Sequence, residues 1–239
     1  MILAILQARM SSTRLPGKVL KDLGGAPMIQ RQVERLRRAE RIDQLVVATS
    51  LHRSDDPLAD WAKIQDLPVF RGSLDDVLGR FVGALDAFGP AEQVVRLTAD
   101  CPLADPTVID FVIDAHLASG VDYTSNVLPI RTFAHGLDVE VMRAEVLRTA
   151  AAEARDPYER EHVTPFIYRD PHRFALGSVT QDMDDGVLRW TVDTPEDFDL
   201  VEAVYGGIYR ANPEFTSAAI KTWIGGHPKW IEYGGYPRA

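Results

Sequence analysis

The stretch Ile2–Leu20, ILAILQARMSSTRLPGKVL, decides the fold. Ile2 to Leu6 is a nearly continuous apolar run, the pattern of a strand buried on both faces of a parallel sheet. A loop follows at once, with the cations Arg9, Arg14 and Lys18 and the hydroxyls of Ser11, Ser12 and Thr13; Pro16-Gly17 lets the backbone turn closely. Each phosphate oxygen needs a donor and its charge needs neutralising, so cations, hydroxyls and free amides after a first strand suit a polyphosphate. A solvated basic loop is the plain alternative, and the position after strand one favours the ligand. The loop is expected to bind a nucleoside triphosphate through Arg9, Ser11, Ser12, Arg14 and Lys18.

It is neither of the two common phosphate motifs, since it lacks both G-x-x-x-x-G-K-[ST] and G-x-G-x-x-G. Gln7–Leu20, Q-A-R-M-S-S-T-R-L-P-G-K-V-L, instead resembles the opening signature of the cytidylyltransferase-like family that includes spore-coat polysaccharide biosynthesis protein F. That family is similar in turn to the acylneuraminate and 3-deoxy-manno-octulosonate cytidylyltransferases. Further segments extend the resemblance over most of the chain: FRGSLDDVLGRF from Phe70, VRLTADCPL from Val95, GLDVEV from Gly136, REHVTP from Arg160 and WTVDTPED from Trp190. The resemblance implies a nucleotide-diphospho-sugar transferase (GT-A-like) fold, a CTP-using enzyme and a homodimer. It adds Leu6, Gln7, Ala8 and Thr98 to the nucleotide contacts and brings the segment with Arg71 and Arg80 towards the nucleotide; read from the residues alone, these two could be solvated helix arginines. It also sets Arg160 and His162 near the acceptor. Two departures concern specificity. The glutamine that helps read cytosine in the octulosonate enzymes has no evident counterpart beside Asp100, where Arg96 and Thr98 stand, and His135 replaces a different polar residue.

With 239 residues, 46% hydrophobic and 26% charged, the chain is long enough for one large α/β domain. A net charge of -9 argues against a general nucleic-acid binder, so phosphate binding must be local. The lone Cys101 excludes an intrachain disulfide framework and a cysteine-rich zinc site, and no apolar span approaches the roughly 20 residues of a membrane helix. The amino terminus enters a strand with no signal-type core, so a cytoplasmic location is expected.

Outward from the first loop, strands are predicted over 45–49, 68–70 and 94–97, alternating with helices that begin near Pro27, Ser54–Pro57, Ser73 and Pro106. Asp55 and Asp56 read as first-turn carboxylates rather than ligands. After Gly120 the rhythm changes: 123–127 and 137–141 read as strands, and 120–192 as an edge region on the acceptor side of a single 1–239 domain. Its loop 130–136 offers Arg131 and His135 to an acceptor, with Glu140 beyond it, although a histidine such as His135 is by itself more often a solvated loop residue than a catalytic base. Helices are expected over 143–153 and from Pro157, with Pro165 interrupting the second. The segments 174–179 and 187–191 read as a hairpin around Asp182-Met183-Asp184-Asp185-Gly186. That turn holds a literal D-x-D, which its D-D-G ending marks as a turn rather than a metal site. Thr194 caps a helix starting at Pro195, and a terminal helix carries Ile220, Trp223 and Ile224.

Asp100 follows a central strand at the edge where open parallel sheets bind ligands, and Asp193 is left over by the Thr194 cap. The pair is expected to hold Mg²⁺ or Mn²⁺, and Arg9, Lys18, Asp100 and Asp193 to carry the chemistry. The resulting expectation is a cytidylyltransferase acting on an acidic or phosphorylated sugar-like acceptor, with no nucleic-acid or membrane partner. Two alternatives stand beside it: a glycosyltransferase using a nucleotide-sugar, and a non-catalytic nucleotide-binding subunit.

Overall fold

The amino-terminal apolar run forms β1 (Ile2–Gln7), which pairs in parallel with β2 (Gln44–Ser50) on one side and β4 (Gln93–Thr98) on the other. β3 (Val69–Gly72) extends the sheet beyond β2. On the far side β6 (Glu140–Arg143) runs antiparallel to β4, followed outward by β5 (Tyr123–Ser125) and β7 (Leu176–Ser178), giving the order β3-β2-β1-β4-β6-β5-β7. Only β6 opposes the common strand direction. The computed structural model describes residues 1–234.

β1 is apolar throughout because both of its faces are covered. Ala4 and Leu6 belong to the core beneath α1 (Met28–Leu36), α2 (Asp56–Ile64), α4 (Pro106–Ser119), α8 (Pro195–Ile208) and α9 (Ser217–Gly225). Leu3 and Ile5 belong to the opposite core beneath α3 (Val77–Phe88), α5 (Ala144–Glu153) and α7 (Pro165–Tyr168). A fully buried Leu or Ile contributes about 1.5–3 kcal/mol, so a polar residue anywhere in 3–6 would strike one core or the other. Proline and small polar caps start the helices as the sequence suggests: Asp105 before α4, Asp156 before α6 (Pro157–His162), and a Thr194–Asp197 capping box before α8. Pro165 ends the run of α6 by opening α7, and α10 (Pro228–Gly234) follows α9. The last five residues of the expected tail lie outside the described residues.

Several expectations are corrected. Residues 174–179 and 187–191 do not form a hairpin. β7 instead pairs in parallel with β5, while the turn after it is fastened to Thr132 through Gln181 and Asp185, so the chain returns by way of a single bridge between His135 and Arg189. β5 stops at Ser125 and β6 begins only at Glu140. Asn126 bonds the backbone of Leu137 and Val139 with its side chain and thus replaces ladder pairing there. α3 is capped by Asp76, whose carboxylate accepts from Gly79 N, and Ser73 caps nothing but Asp76's own amide.

Candidate active site

The loop after β1 is held open by its own backbone and by one buried carboxylate. Gly17 sits at φ 74°, and its amide and that of Ser12 both bond the Met10 carbonyl. Asp55, fully buried, accepts from Met10 N at 2.8 Å and from Ser50 N and Oγ, so it ties this loop to the end of β2 instead of capping α2. Burial pushes its carboxyl up, and these donors outweigh burial and hold it below the ordinary carboxylate value. The loop therefore curves around a cleft of about 410 Å³ at the carboxyl ends of β1 and β4. Gln7, Ala8, Arg9, Ser12, Arg14 and Lys18 line one wall, and Thr98, Asp100 and Asp193 the other.

Lys18, buried with 8% of its surface exposed, projects its ammonium to the far wall of the cleft. It donates to the Val192 carbonyl at 2.6 Å and lies 3.2 Å from Asp193 Oδ1 and 3.6 Å from Asp100 Oδ2. One cation thus spans two carboxylates that are far apart in sequence. Asp193 is delivered by backbone docking, since Val192 N donates to the Asp100 carbonyl at 2.7 Å and Thr191 Oγ1 reaches the same oxygen. Arg14 and Arg189 also contact Asp193. Burial pushes the Asp193 carboxyl up, but Lys18, Arg14 and Arg189 outweigh burial and hold it below the ordinary carboxylate value.

A second cavity of about 430 Å³ adjoins this cleft, and the two share Arg96, Thr98 and His162 as lining. Its walls bring Arg131, Asp138, Glu140, Tyr158 and Tyr168 together. Arg131 is clamped by Asp138 through two bonds of 2.6 and 3.0 Å. Glu140 faces Arg96 across the β4–β6 ladder and pairs with it, and it also accepts from Tyr123 OH and from Thr164 Oγ1. Burial pushes Glu140 up, and Arg96 with the two hydroxyls reverses that shift, so both partners stay charged. Between α6 and α7 the chain makes a γ-turn: Val163 lies at φ 73° and ψ −56°, and Thr164 N bonds the His162 carbonyl at 2.9 Å. A β-branched residue there stores about 1–3 kcal/mol of strain, which full burial of the Val163 side chain sustains.

The residues expected at the site are thus largely brought together, with exceptions. Leu6 is core and can offer only backbone, and Ser11 lies outside the cleft. Arg71 is also outside it, its guanidinium held by the carbonyls of Ser50 and His52 and by Asp56. Arg160 turns to Asp76 and the Ala151 carbonyl, and His135 meets 188–190 through its backbone, so neither lines the second cavity. Glu140 lines it with its carboxylate already engaged. Of the two arginines that the resemblance brings towards the nucleotide, Arg80 lines the cleft and Arg71 does not, and Glu161, which was not among the expected contacts, lines it too. Arg80 is 3% exposed, its pKa is drawn down to about 10 chiefly by burial, and its Nε has no hydrogen-bond partner among the described residues. The signal for Arg80 was present in VLGRF, but an arginine at helical spacing reads equally well as solvated.

The family model described as cytidylyltransferase matches residues 3–214. The spore coat polysaccharide biosynthesis protein SpsF of Bacillus subtilis is 38% identical over 234 residues, covering 95% of each chain. A cytidylyltransferase of Leptospira borgpetersenii superposes with a TM-score of 0.91 at 30% identity over 99% of both chains. A CMP:2-keto-3-deoxy-manno-octonic acid synthetase, solved with CTP, shares the fold alone, with a TM-score of 0.64 at 17% identity over 86% of this chain and 98% of its own. A cleft built around phosphate-seeking cations and a carboxylate pair, in a chain matched along nearly its whole length, leads to one assignment: the chain belongs to the cytidylyltransferase family and is a nucleotidyltransferase.

Proposed function

We propose that the enzyme transfers the cytidylyl group of CTP to an oxygen of an acidic or phosphorylated sugar-like acceptor and releases pyrophosphate, as a cytoplasmic step of surface or capsule polysaccharide biosynthesis. The observation that carries this reading is the Lys18 ammonium between Asp100 and Asp193, beside a loop whose remaining cations face the cleft. Arg9, Arg14 and Lys18 neutralise the triphosphate and receive the departing pyrophosphate. Such chemistry is mostly positioning and charge neutralisation. Residues 120–192 supply the acceptor side, with Arg131 as the cation for an acidic group.

Mg²⁺ or Mn²⁺ fits the donor set. Asp100 and Asp193 are hard oxygen ligands, and among the described residues no group of three His, Cys, Asp or Glu could cage a metal. Two carboxylates completed by substrate phosphates and water are what Mg²⁺ ordinarily accepts. Bound there, a divalent ion would offset charge at the α-phosphate. In the free protein Lys18 balances the same pair.

The test is pyrophosphate release from each nucleoside triphosphate with sugar acids and sugar phosphates. CTP-dependent pyrophosphate release supports the reading. Release of a nucleoside diphosphate from a sugar nucleotide, with none from CTP, would replace it with glycosyl transfer.

A further inference from the structure

The nucleophilic oxygen must lie where the acceptor cavity opens onto the α-phosphate, and among the described residues only Arg96, Thr98 and His162 line both spaces. Arg96 cannot take a proton there, because Glu140 holds it charged against the effect of burial. Thr98 Oγ1 donates to Asp100 at 2.5 Å. That leaves the imidazole of His162, solvent-exposed and packed on Tyr158 with ring centroids 4.2 Å apart, with no hydrogen bond to either ring nitrogen among the described residues. The γ-turn at Val163 fixes the point at which α6 ends, and therefore where this ring stands.

We infer that His162 is the general base of the reaction and that the acceptor consequently attacks through a hydroxyl rather than through a phosphate. The inference rests on the cytidylyl-transfer reading above. A phosphate monoester already presents an oxyanion near neutrality and needs no base, whereas a hydroxyl must shed its proton as it bonds to phosphorus. In the step, the acceptor O–H proton passes to a ring nitrogen of neutral His162. The oxygen's electron pair forms the bond to the α-phosphorus, and the bond from that phosphorus to the bridging oxygen breaks, its pair leaving with pyrophosphate. The charged residues that line the two spaces with His162 are Glu161 on its own chain segment, Arg9, Arg14 and Lys18 of the β1 loop, Arg80 of α3, Arg96, Asp100 and Asp193 at the sheet edge, and Arg131, Asp138 and Glu140 on the other side. Arg169 lies over Tyr158.

The experiment compares wild type with His162→Gln, using glucuronate and N-acetylneuraminate as hydroxyl acceptors and glucose 1-phosphate as the phosphate acceptor. With a hydroxyl acceptor, kcat is expected to fall about 10²–10⁴-fold in the variant, with KM for CTP unchanged. The acid limb of the wild-type kcat/KM profile should vanish, and added imidazole should restore part of the rate. In histidine-labelled protein, the His162 ring resonances should shift when Mg·CTP is added. An acid limb that survives the substitution, unmoved His162 ring resonances, or turnover of the sugar phosphate alone overturns the assignment of His162. Absence of pyrophosphate release from wild type with every acceptor overturns the cytidylyl-transfer reading itself, and the role of His162 with it.

Discussion

In the loop after β1 the arginines keep much of their side chains in water, 47% for Arg9 and 61% for Arg14, and among the described residues Arg9 pairs only with Glu161, at 3.9 Å. On the acceptor side Arg131 and Arg96 are 21% and 17% exposed, each bound closely to a carboxylate of β6 or the segment before it. The contrast follows from what each side must hold. On the proposed function, a triphosphate would bring several negative charges and supply the missing partners itself, whereas an acidic acceptor would have to compete with Asp138 for Arg131.

The largest expected break in this comparison is on the balanced side. Glu140→Gln leaves the Arg96 charge buried without its counter-ion and should lower unfolding free energy by about 3–5 kcal/mol in denaturant titrations. The folded protein holds the Glu140 pKa below its ordinary 4.5, so the stabilisation is complete above that value and is lost as pH falls through the lower, folded one. Wild type and variant should therefore converge in stability only in acid. A variant as stable as wild type at pH 7 would refute the paired-charge account.

Next come the shared carboxylates. Asp100→Asn or Asp193→Asn should cut turnover about 10²–10³-fold, the scale on which losing one charge-stabilising group acts, and abolish dependence on divalent metal. Full activity in either would remove the metal assignment. Lys18→Ala should weaken CTP binding by about 1.5–3 kcal/mol, and Arg9→Ala by less, because Arg9 is the more solvated cation. Calorimetry that ranks them the other way would reverse the picture of the loop. A smaller effect should sharpen the comparison: Asp138→Asn releases Arg131 from its clamp and should lower KM for an acidic acceptor several-fold, up to about tenfold or 1.4 kcal/mol. A raised KM would mean that Asp138 itself holds the acceptor. Least of all, Asp184→Asn in the D-x-D should change activity negligibly and stability by within about 0.5 kcal/mol, since its carboxylate only receives Gly186 N in a surface turn.

What could be read from the sequence was local. The apolar run of β1, the cation-rich loop after it, the proline starts of α4, α6 and α8 and the Thr194 cap are each decided by residues a few positions apart, and each is found in the fold. The failed hairpin shows the limit. The D-D-G turn between 174–179 and 187–191 signals a hairpin, but β5 takes the first segment and Thr132 holds the turn from some fifty residues away, and nothing local records that contest. The Arg96–Glu140 pair was hidden for the same reason, since its partners meet only through the antiparallel register of β4 and β6. Arg71 and Arg160 are turned to backbone carbonyls, to which an arginine's donors are as well suited as to a ligand, and those carbonyls come from other elements.

The docking of Val192 onto the Asp100 carbonyl also sets a schedule for synthesis. A ribosome makes β1, its loop and β4 first, yet Asp193 emerges roughly ninety residues after Asp100, a delay on the order of 5–20 s at 5–20 residues per second. Until then Lys18 has one carboxylate instead of two and no Val192 carbonyl to donate to. A nascent chain halted before Asp193 could complete the strands that carry the triphosphate loop and still lack the second acid, so the capacity to react would arrive after the framework that houses the nucleotide.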